Sequence, residues 1–545
     1  MAEENNGKSL SVFKARGMKS LVSDLMDEIR ALYCEDLIPW VIGYSGGKDS
    51  TAVLQLVWLA VAGLPIDQRR KRIHVISTDT LVENPIVASW VNRSLEVMRS
   101  AAEQQQVPIE PHRLTPEVKD TFWVNLIGHG YPAPRNKFRW CTNRLKIQPS
   151  NSFIRRVVRE NGEAILVLGT RRAESSARAA NMKEHAKRAV RDRLAPNASL
   201  PNSLVYTPIE SWSNDDVWAF LTQVKNPWGY NNHDLMTMYR GASADGECPL
   251  VVDTSTPSCG NSRFGCYVCT LVDQDKSMAA MIQNDVEKEW MEPLLALRNA
   301  LDFRGDVKRK AEWAKRDFRR IDGRLTIYTD SSGVQKLVHG PYLQETRAEW
   351  LRLLLQTRKH IRENAPIELR EWELISLDEL QEIRRIWVTD SHKHEIEDLL
   401  PGIYEEVTGE PYPGIPIDDD LVFGGDALAL LREQCQGDRL RYEMLRNLLN
   451  IERRHRTKST RRGLYDELER AVRRAFYEGE SDAFQWAQRK TGETVVADAE
   501  DIVEVEADTA ADTPTTAKPQ RVELTVSGRQ AGQKPDVLLF ENVGS

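Results

Sequence analysis

The chain has 545 residues, 41% of them hydrophobic and 28% charged, which is enough for more than one hydrophobic core. This composition excludes a disulfide-stapled miniprotein, a collagen and a wholly disordered chain. The longest apolar stretch, residues 51–66, contains Gln55 and is too short to predict a membrane span. The first ten residues lack a basic stretch followed by an apolar one, so we expect no secretory signal, no membrane association and a cytoplasmic location.

The formal net charge of −7 is unevenly distributed along the chain. Residues 493–512 carry eight acidic side chains and no basic one, so the rest of the chain has a net charge of +1. The whole-chain charge therefore does not exclude binding to nucleic acid. The composition of residues 491–545 predicts an acidic, largely disordered tail. In a reducing compartment we do not expect the seven cysteines to form disulfides.

The domain organisation follows from changes in the hydrophobic pattern. After a helical lead-in at 1–29, short β-prone runs alternate with helical patterns over 30–240, which predicts an α/β domain with a Rossmann-like parallel sheet. A cysteine-containing loop is expected at 241–275. Residues 276–490 are predicted to form a mainly helical region with one β-hairpin. The predicted strands of the α/β domain are 40–44, 73–77, 165–168 and 204–208.

The segment Ser-Gly-Gly-Lys-Asp-Ser at residues 45–50 lies between the first predicted strand and the helix that follows it. Glycines allow a tight turn whose amide N–H groups face one anion, and the helix N-terminus adds partial positive charge. We predict a phosphate cradle formed by Ser45, Gly46, Gly47 and Ser50, with a plain strand-to-helix turn as the alternative. The segment is neither a Walker A loop nor a dinucleotide-binding glycine motif.

Further polar residues follow other predicted strands. Asp79 stands at the sheet edge where such folds bind ligands, and we expect it either to contact a ribose or a metal or to cap the next helix. Gly169, Arg171 and Arg172 follow the third predicted strand, and a second basic segment spans 139–146. Because guanidinium groups bind oxyanions through two N–H groups at once, these segments predict a site for a substrate phosphate or sulfate. Solvated surface charge is the alternative for each arginine.

The strongest metal-binding pattern is a set of four cysteines within 22 residues, with ten, six and two residues between them: Cys248, Cys259, Cys266 and Cys269. Four thiolates on one loop that ends in a Cys-x-x-Cys pair are typical ligands of a tetrahedral zinc ion or a [4Fe–4S] cluster. Spacing alone does not separate these two possibilities.

Cys141 lies outside this set, close to the basic side chains of Arg144 and Lys146. We expect those charges to lower the pKa of Cys141 and to favour a thiolate able to carry sulfur. A buried, inert cysteine is the alternative.

Two basic runs in the helical half are candidate DNA-contacting surfaces. Residues 308–320 contain seven basic and two acidic side chains, and residues 453–462 contain six basic and no acidic ones. Either run has enough charge to neutralise phosphates without reading base sequence, although solvated helix faces commonly have the same composition.

These motifs together resemble known families. The 45–50 loop is similar to the pyrophosphatase loop of adenine-nucleotide α-hydrolases, and residues 20–275 resemble the phosphoadenylylsulfate (PAPS) reductase branch of that group. With the four-cysteine set and the helical C-terminal half, the chain resembles the DndC family, the sulfurtransferases of bacterial DNA phosphorothioation. The C-terminal cysteine motif of reducing PAPS enzymes is missing, which argues against a plain reductase. Thiolation of transfer RNA and a zinc-stapled, nucleotide-sensing DNA scaffold are the alternatives.

The resemblance implies that ATP is cleaved between its α and β phosphates, so that a nonbridging oxygen of DNA is adenylated and then replaced by sulfur. It implies that Lys48 offsets phosphate charge, that Asp49 helps to hold Mg²⁺, and that Arg171 and Arg172 stabilise charge during the reaction. The sulfur-handling context favours a [4Fe–4S] cluster at the four cysteines. A cysteine desulfurase as sulfur source and other DNA phosphorothioation proteins are the implied partners.

Overall fold

The computed structural model describes residues 11–135, 138–174, 182, 193–197, 199–243, 264–303, 306–329, 333–389, 398–417, 425–456 and 458–491. Two of the four clustered cysteines, Cys248 and Cys259, and the predicted acidic tail beyond residue 491 lie outside these described residues. None of the helices in the described ranges is both long and apolar enough to cross a lipid bilayer.

A six-stranded sheet forms the centre of the N-terminal half, in the order β3-β2-β1-β4-β6-β5. Every neighbouring pair is parallel except β5 with β6, so the predicted α/β class with a mostly parallel sheet is confirmed. The strands are β1 Trp40–Gly43, β2 Ile73–Thr78, β3 Ile109–Leu114, β4 Ala164–Val167, β5 Ala195–Pro196 and β6 Ser203–Tyr206. The two edge strands have no counterpart among the predicted strands, because Pro111 and Pro196 interrupt their β-prone pattern.

Helices cover both faces of this sheet. The helix that follows β1 is buried along almost its whole length and packs with its neighbours in the larger core on one face. On the other face Phe153, Ile154 and Val157 pack against Val41 and Leu166 of the sheet. The helices of this half are α1 Val12–Arg16, α2 Met18–Glu35, α3 Lys48–Ala62, α4 Pro85–Gln105, α5 Gln148–Asn161, α6 Asn214–Gln223 and α7 Asn232–Gly241.

The C-terminal half is mainly helical, as the sequence predicts, and its described residues include an antiparallel hairpin of β7 Ile327–Thr329 and β8 Gln335–Leu337. Its longest helix, α11, spans Gln344–Asn364. The other helices are α8 Lys276–Asn284, α9 Glu292–Ala300, α10 Asp306–Ala314, α12 Leu377–Thr389, α13 Leu400–Thr408, α14 Gly425–Gln434, α15 Arg439–Arg456, α16 Leu464–Ala475 and α17 Glu480–Thr491.

The two halves share a hydrophobic core. The indole N–H of Trp123 donates to the carbonyl of Leu374 at 2.9 Å, and that of Trp387 donates to the carbonyl of Ile127 at 2.9 Å. Tyr267, which lies inside the Cys-x-x-Cys pair, is fully buried in the same core. The helical half therefore fixes the cysteine segment against the α/β half, since a buried aromatic side chain cannot move without opening the core.

Candidate active site

The loop between β1 and α3 has the form of an anion cradle. Gly46 has a φ of +72°, and a Cβ atom there would lie 2.4 Å from Cγ2 of Val91, so only glycine fits. Gly47 caps α3, and its carbonyl accepts hydrogen bonds from the Ser50 hydroxyl at 3.0 Å and the Thr51 hydroxyl at 2.9 Å. These bonds hold the N-terminus of a buried helix behind the turn, where its N–H groups favour an anion.

Lys48 and Arg171 both contact the carboxylate of Asp49. Nζ of Lys48 lies 3.0 Å from Oδ2, and Nε of Arg171 donates to Oδ1 at 2.7 Å. Arg171 is only 3% exposed and also donates to the carbonyl of Trp212 at 3.2 Å. A Cβ on Gly169 would come within 2.9 Å of the Asp49 backbone, so Gly169 packs directly against the first turn of α3.

The predicted basic pair after β4 is thus divided between interior and surface. Arg171 lies inside and positions Asp49, whereas the exposed Arg172 pairs with Glu210 at 2.6 Å. Of the two, Arg172 is the guanidinium that a dissolved substrate can reach. The role of both arginines in catalysis stays a prediction.

A cavity of about 320 Å³ opens beside the loop at the carboxyl ends of the strands, and both Ser45 and Asp79 line it. Oδ1 of Asp79 accepts a hydrogen bond from the amide of Leu81 at 2.8 Å, and Oδ2 pairs with Arg113 at 2.6 Å. Asp79 does not cap the following helix, so that alternative is wrong. Asn84 caps α4 by accepting from the amide of Ile86.

The Cys-x-x-Cys segment lies next to Glu83, a residue that lines this cavity. Residues Glu83 and Cys266 form an antiparallel bridge, and the amide of Tyr267 donates to the carbonyl of Val82 at 2.9 Å. The Sγ atom of Cys266 lies 3.4 Å from the hydroxyl of Thr80, next to Asp79 in the chain. The two described cysteines of the predicted set are therefore held beside the predicted nucleotide site.

Lys146 joins the cavity to the cysteines. Its Nζ lies 3.4 Å from Oε1 of Glu83, and both side chains line the cavity. The negative charge of a Cys266 thiolate raises the pKa of Lys146, and Glu83 raises it further, while burial of the ammonium group lowers it by less. Burial raises the pKa of Glu83 and also that of the Cys266 thiol, the latter to about 12. A bound metal would be needed to keep Cys266 as a thiolate, because the protein alone disfavours that charge.

The expected low pKa of Cys141 is wrong. Burial, followed by the charge of Cys269, raises the pKa of this thiol, and the opposing effect of Lys146 is smaller. Arg144 does not contribute as expected, because its guanidinium pairs with Asp120 at 2.8 Å and bonds the hydroxyl of Tyr131. Cys141 nevertheless packs on the same core as Cys266, so the choice between a sulfur carrier and an inert thiol stays open.

The first basic run is partly internal, so not all of its cations can contact DNA, and contact between the rest of residues 308–320 and DNA stays a prediction. Arg319 is fully buried and pairs with Asp317 and Glu443, each at 2.7 Å. Arg316 donates to the carbonyl of Gly340 at 2.7 Å. These two guanidinium groups hold the fold together, because buried arginines need several acceptors.

The second basic run keeps several exposed cations. His455 is buried and lies 3.1 Å from Glu467, which also pairs with Arg454 at 3.2 Å. Lys458 and Arg462, further along the run, are exposed. Contact between this run and DNA stays a prediction.

Sequence reasoning missed Tyr239 and Arg113. The hydroxyl of Tyr239 accepts from the amide of Lys48 at 3.4 Å, and its ring lies 5.7 Å from the Lys48 ammonium. The same ring packs edge-to-face on Phe264, two residues before Cys266, with centroids 4.7 Å apart. Tyr239 lies in an amphipathic helix, and no local sequence pattern distinguishes it from an ordinary core residue. Arg113 lies on an edge strand that the sequence does not predict.

Residues 39–271 match the family model of the phosphoadenosine phosphosulfate reductase domain. The match covers less than half of the chain and identifies a PAPS-reductase-like domain there. An uncharacterised protein of Methanocaldococcus jannaschii is 28% identical over 193 residues, which are 35% of this chain and 32% of that protein. The chain thus spans about a third of the length of the curated relative it matches.

Two solved structures are similar over part of the chain. PAPS reductase from Candida auris, in a phosphate complex, has 16% identity and a TM-score of 0.24, covering 42% of this chain and 93% of that one. The U34-tRNA thiolase NcsA from Methanococcus maripaludis, with its [4Fe–4S] cluster, has 12% identity and a TM-score of 0.26, and the match covers 43% of this chain and 80% of that one.

Proposed function

We propose that this protein is an ATP-dependent sulfurtransferase that adenylates a DNA backbone phosphate, releases pyrophosphate and replaces a nonbridging oxygen with sulfur. The observation that carries the proposal is the bridge between Cys266 and Glu83, because Glu83 lines the same cavity as Ser45. This arrangement suits a reaction in which ATP bound at the anion cradle activates an oxygen and the cysteine segment supplies the sulfur that replaces it.

ATP binding is assigned to the loop and to Lys48. The amides of residues 46 and 47 and the N-terminus of α3 donate hydrogen bonds to the phosphates, whereas the amide of Ser45 is bonded to the Ser50 hydroxyl. Lys48 leaves Asp49 and moves to the phosphate oxygens, because a triphosphate carries more negative charge than a single carboxylate. Oδ1 of Asp49 stays with Arg171, which leaves Oδ2 to face a Mg²⁺ ion. The site therefore offers Mg²⁺ one carboxylate oxygen, a typical protein share for this ion when phosphates and water supply the rest.

The cysteine segment fits a metal centre by its donor chemistry. The amide of Cys269 donates a hydrogen bond to the carbonyl of Cys266 at 3.0 Å, which closes a turn between the two cysteines. Together with Cys248 and Cys259 they would hold a [4Fe–4S] cluster, which would supply a binding site for sulfur at the sulfide level. Lys146, between the cavity and Cys266, would offset the negative charge of sulfur and phosphate as they approach.

The reaction balances without a net redox change when sulfur arrives as sulfide. A nonbridging DNA oxygen attacks the α-phosphorus of ATP, an O–P bond forms, and pyrophosphate leaves with the electrons of the broken bond. Sulfide then attacks the DNA phosphorus, and AMP departs with the former DNA oxygen. Activation is required because an unmodified phosphodiester oxygen is a very poor leaving group. A cysteine desulfurase is the proposed sulfur source, and other DNA phosphorothioation proteins are the proposed partners.

The test compares protein purified without oxygen with its Lys48→Ala variant and with Lys19→Ala, which changes an exposed lysine of α2. We expect DNA to stimulate pyrophosphate release, Lys48→Ala to lower that release by about 10²–10³-fold, and Lys19→Ala to leave it unchanged. Iron and acid-labile sulfide should be the same in all three proteins.

Three outcomes would contradict the proposal. Stimulation by RNA but not DNA would replace the substrate with a transfer RNA. A colourless protein that binds zinc at the cysteines and releases no pyrophosphate would make it a scaffold. Loss of iron together with activity in Lys48→Ala would show a folding defect instead of a catalytic one.

A further inference from the structure

A second cluster of metal-binding side chains lies on the sheet, away from the cysteines. His74 is on β2, and Glu110 and His112 are on the neighbouring edge strand β3. His74 pairs in register with Glu110, and His112 is two residues further along the same strand. Because side chains alternate between the faces of a strand, all three point to the face covered by α5.

The three ligand atoms have the spacing of a coordination site. Nδ1 of His74 lies 3.0 Å from Nε2 of His112 and 3.5 Å from Oε2 of Glu110, and Nε2 of His112 lies 4.0 Å from Oε2. The circle through these atoms has a radius of about 2.1 Å, equal to a zinc–nitrogen or zinc–oxygen bond of about 2.0–2.2 Å. An ion near its centre would therefore reach all three atoms after small rotations of the side chains.

Neighbouring side chains hold these three ligands in position. Phe153 packs against both imidazoles, with ring centroids at 5.5 Å from His74 and 4.7 Å from His112. Arg72 lies 3.3 Å from Oε1 of Glu110, which leaves Oε2 directed at the histidines.

Solvent has access to the cluster from one side. The side chains of Glu110 and His112 are 46% and 28% exposed, whereas that of His74 is 9% exposed. We propose that His74, Glu110 and His112 bind a divalent transition-metal ion of the zinc type, with the fourth position open to water. Two imidazoles and one carboxylate are a donor set that zinc accepts, whereas magnesium and calcium prefer oxygen ligands alone. This site is independent of the proposed sulfurtransferase reaction.

The test uses the full chain, purified without oxygen, stripped of loosely bound ions with a chelator and titrated with Zn²⁺ and separately with Co²⁺. We expect one equivalent to bind in addition to the metal held by cysteines. Glu110→Gln, a nearly isosteric change at a half-exposed residue, and His112→Asn should each weaken this binding at least about tenfold, since loss of outer-shell partners alone costs 10–100-fold. His233→Asn, at an exposed histidine of α7, is the matched control and should bind like the unmodified protein.

Coordination and integrity are read separately from activity. X-ray absorption at the cobalt edge should show nitrogen and oxygen neighbours for the additional equivalent, and iron and acid-labile sulfide should not change. Equal Zn²⁺ binding by the unmodified protein and Glu110→Gln would overturn the proposal. So would cobalt with sulfur neighbours alone, because the contact between His74 and His112 would then be a hydrogen bond and nothing more. Thermal unfolding of Glu110→Gln without metal should match the unmodified protein, which separates ligand loss from misfolding.

Discussion

Replacing Arg171 and Arg172 separately by methionine tests whether the structure has correctly divided this basic pair. Arg171 is buried and bonds Asp49, whose side chain is 23% exposed, while the Arg172–Glu210 pair has side chains 50% and 36% exposed. Methionine keeps much of the apolar stem of arginine but removes its charge. The two neighbouring substitutions therefore differ mainly in the burial of the ion pair that each one breaks.

The expected magnitudes follow from that burial. Removing one partner of a fully buried pair costs about 3–5 kcal/mol, and partial exposure of Asp49 with Lys48 as a remaining partner reduces this to about 2–3 kcal/mol. For a domain of this size such a loss lowers the melting temperature by about 5–10 °C. Breaking the exposed Arg172 pair costs at most about 1 kcal/mol, or about 2–4 °C.

The assay is thermal unfolding of both variants under matched conditions, followed by pyrophosphate release with DNA. Arg171→Met should show the large drop in melting temperature, and Arg172→Met should keep its stability while DNA-dependent turnover falls. Equal drops in the two variants would refute the assignment of Arg171 to the interior. A normal response to DNA in Arg172→Met would remove that residue from substrate binding.

Two more substitutions have structural controls within the chain. Gly46→Ala should lower nucleotide binding at least tenfold and lower the free energy of unfolding by about 2–4 kcal/mol, because the φ at this position is left-handed and the new Cβ would meet Val91. The control Gly162→Ala, where φ is +85° and the space is open, should lower it by only about 1–2 kcal/mol. Equal losses of melting temperature in the two variants would contradict this prediction. Burial opposes ionisation of Asp216, but hydrogen bonds donated by Ser11 and Ser213 outweigh it and lower the pKa. Because the folded pKa lies below the unfolded value of about 3.9, the ionised carboxylate stabilises the fold above about pH 4, and this stabilisation is lost as the pH falls through the folded pKa. Asp216→Asn should therefore cost about 2 kcal/mol at pH 7 and progressively less as the pH falls below about 4, measured by unfolding beside the exposed control Asp67→Asn; a cost that does not depend on pH would count against the ionised form.

Local sequence was sufficient for the elements of the α/β half that obey a simple pattern. The strand beginning at Trp40 is a continuous apolar run, and the strand beginning at Ile73 is buried over its first five residues, as expected for central parallel strands buried on both faces. The turn at Gly46 needs a left-handed φ that glycine alone adopts easily, so the loop could be identified from its glycines in the sequence. The edge strands were not identifiable in the same way, since a strand that pairs on one side tolerates proline.

The chemistry of individual side chains required the tertiary structure. Arg171 and Arg172 are adjacent and identical in sequence terms, yet only the fold buries one against Asp49. For Cys141, nearby positive charge in the sequence indicated a low pKa, but desolvation outweighs it once the thiol is buried. His74 and His112 are separated by 37 residues and carry no shared motif, and strand pairing alone brings them within 3.0 Å.

The sequence by itself thus determined the fold class and the phosphate loop, because both depend on short-range backbone geometry and on the period of apolar residues. The tertiary structure decided which charges are internal, what pKa the thiols have, and that the Cys266 segment lies beside the loop cavity. These properties depend on burial and on distances between residues far apart in the chain, and no local pattern encodes either.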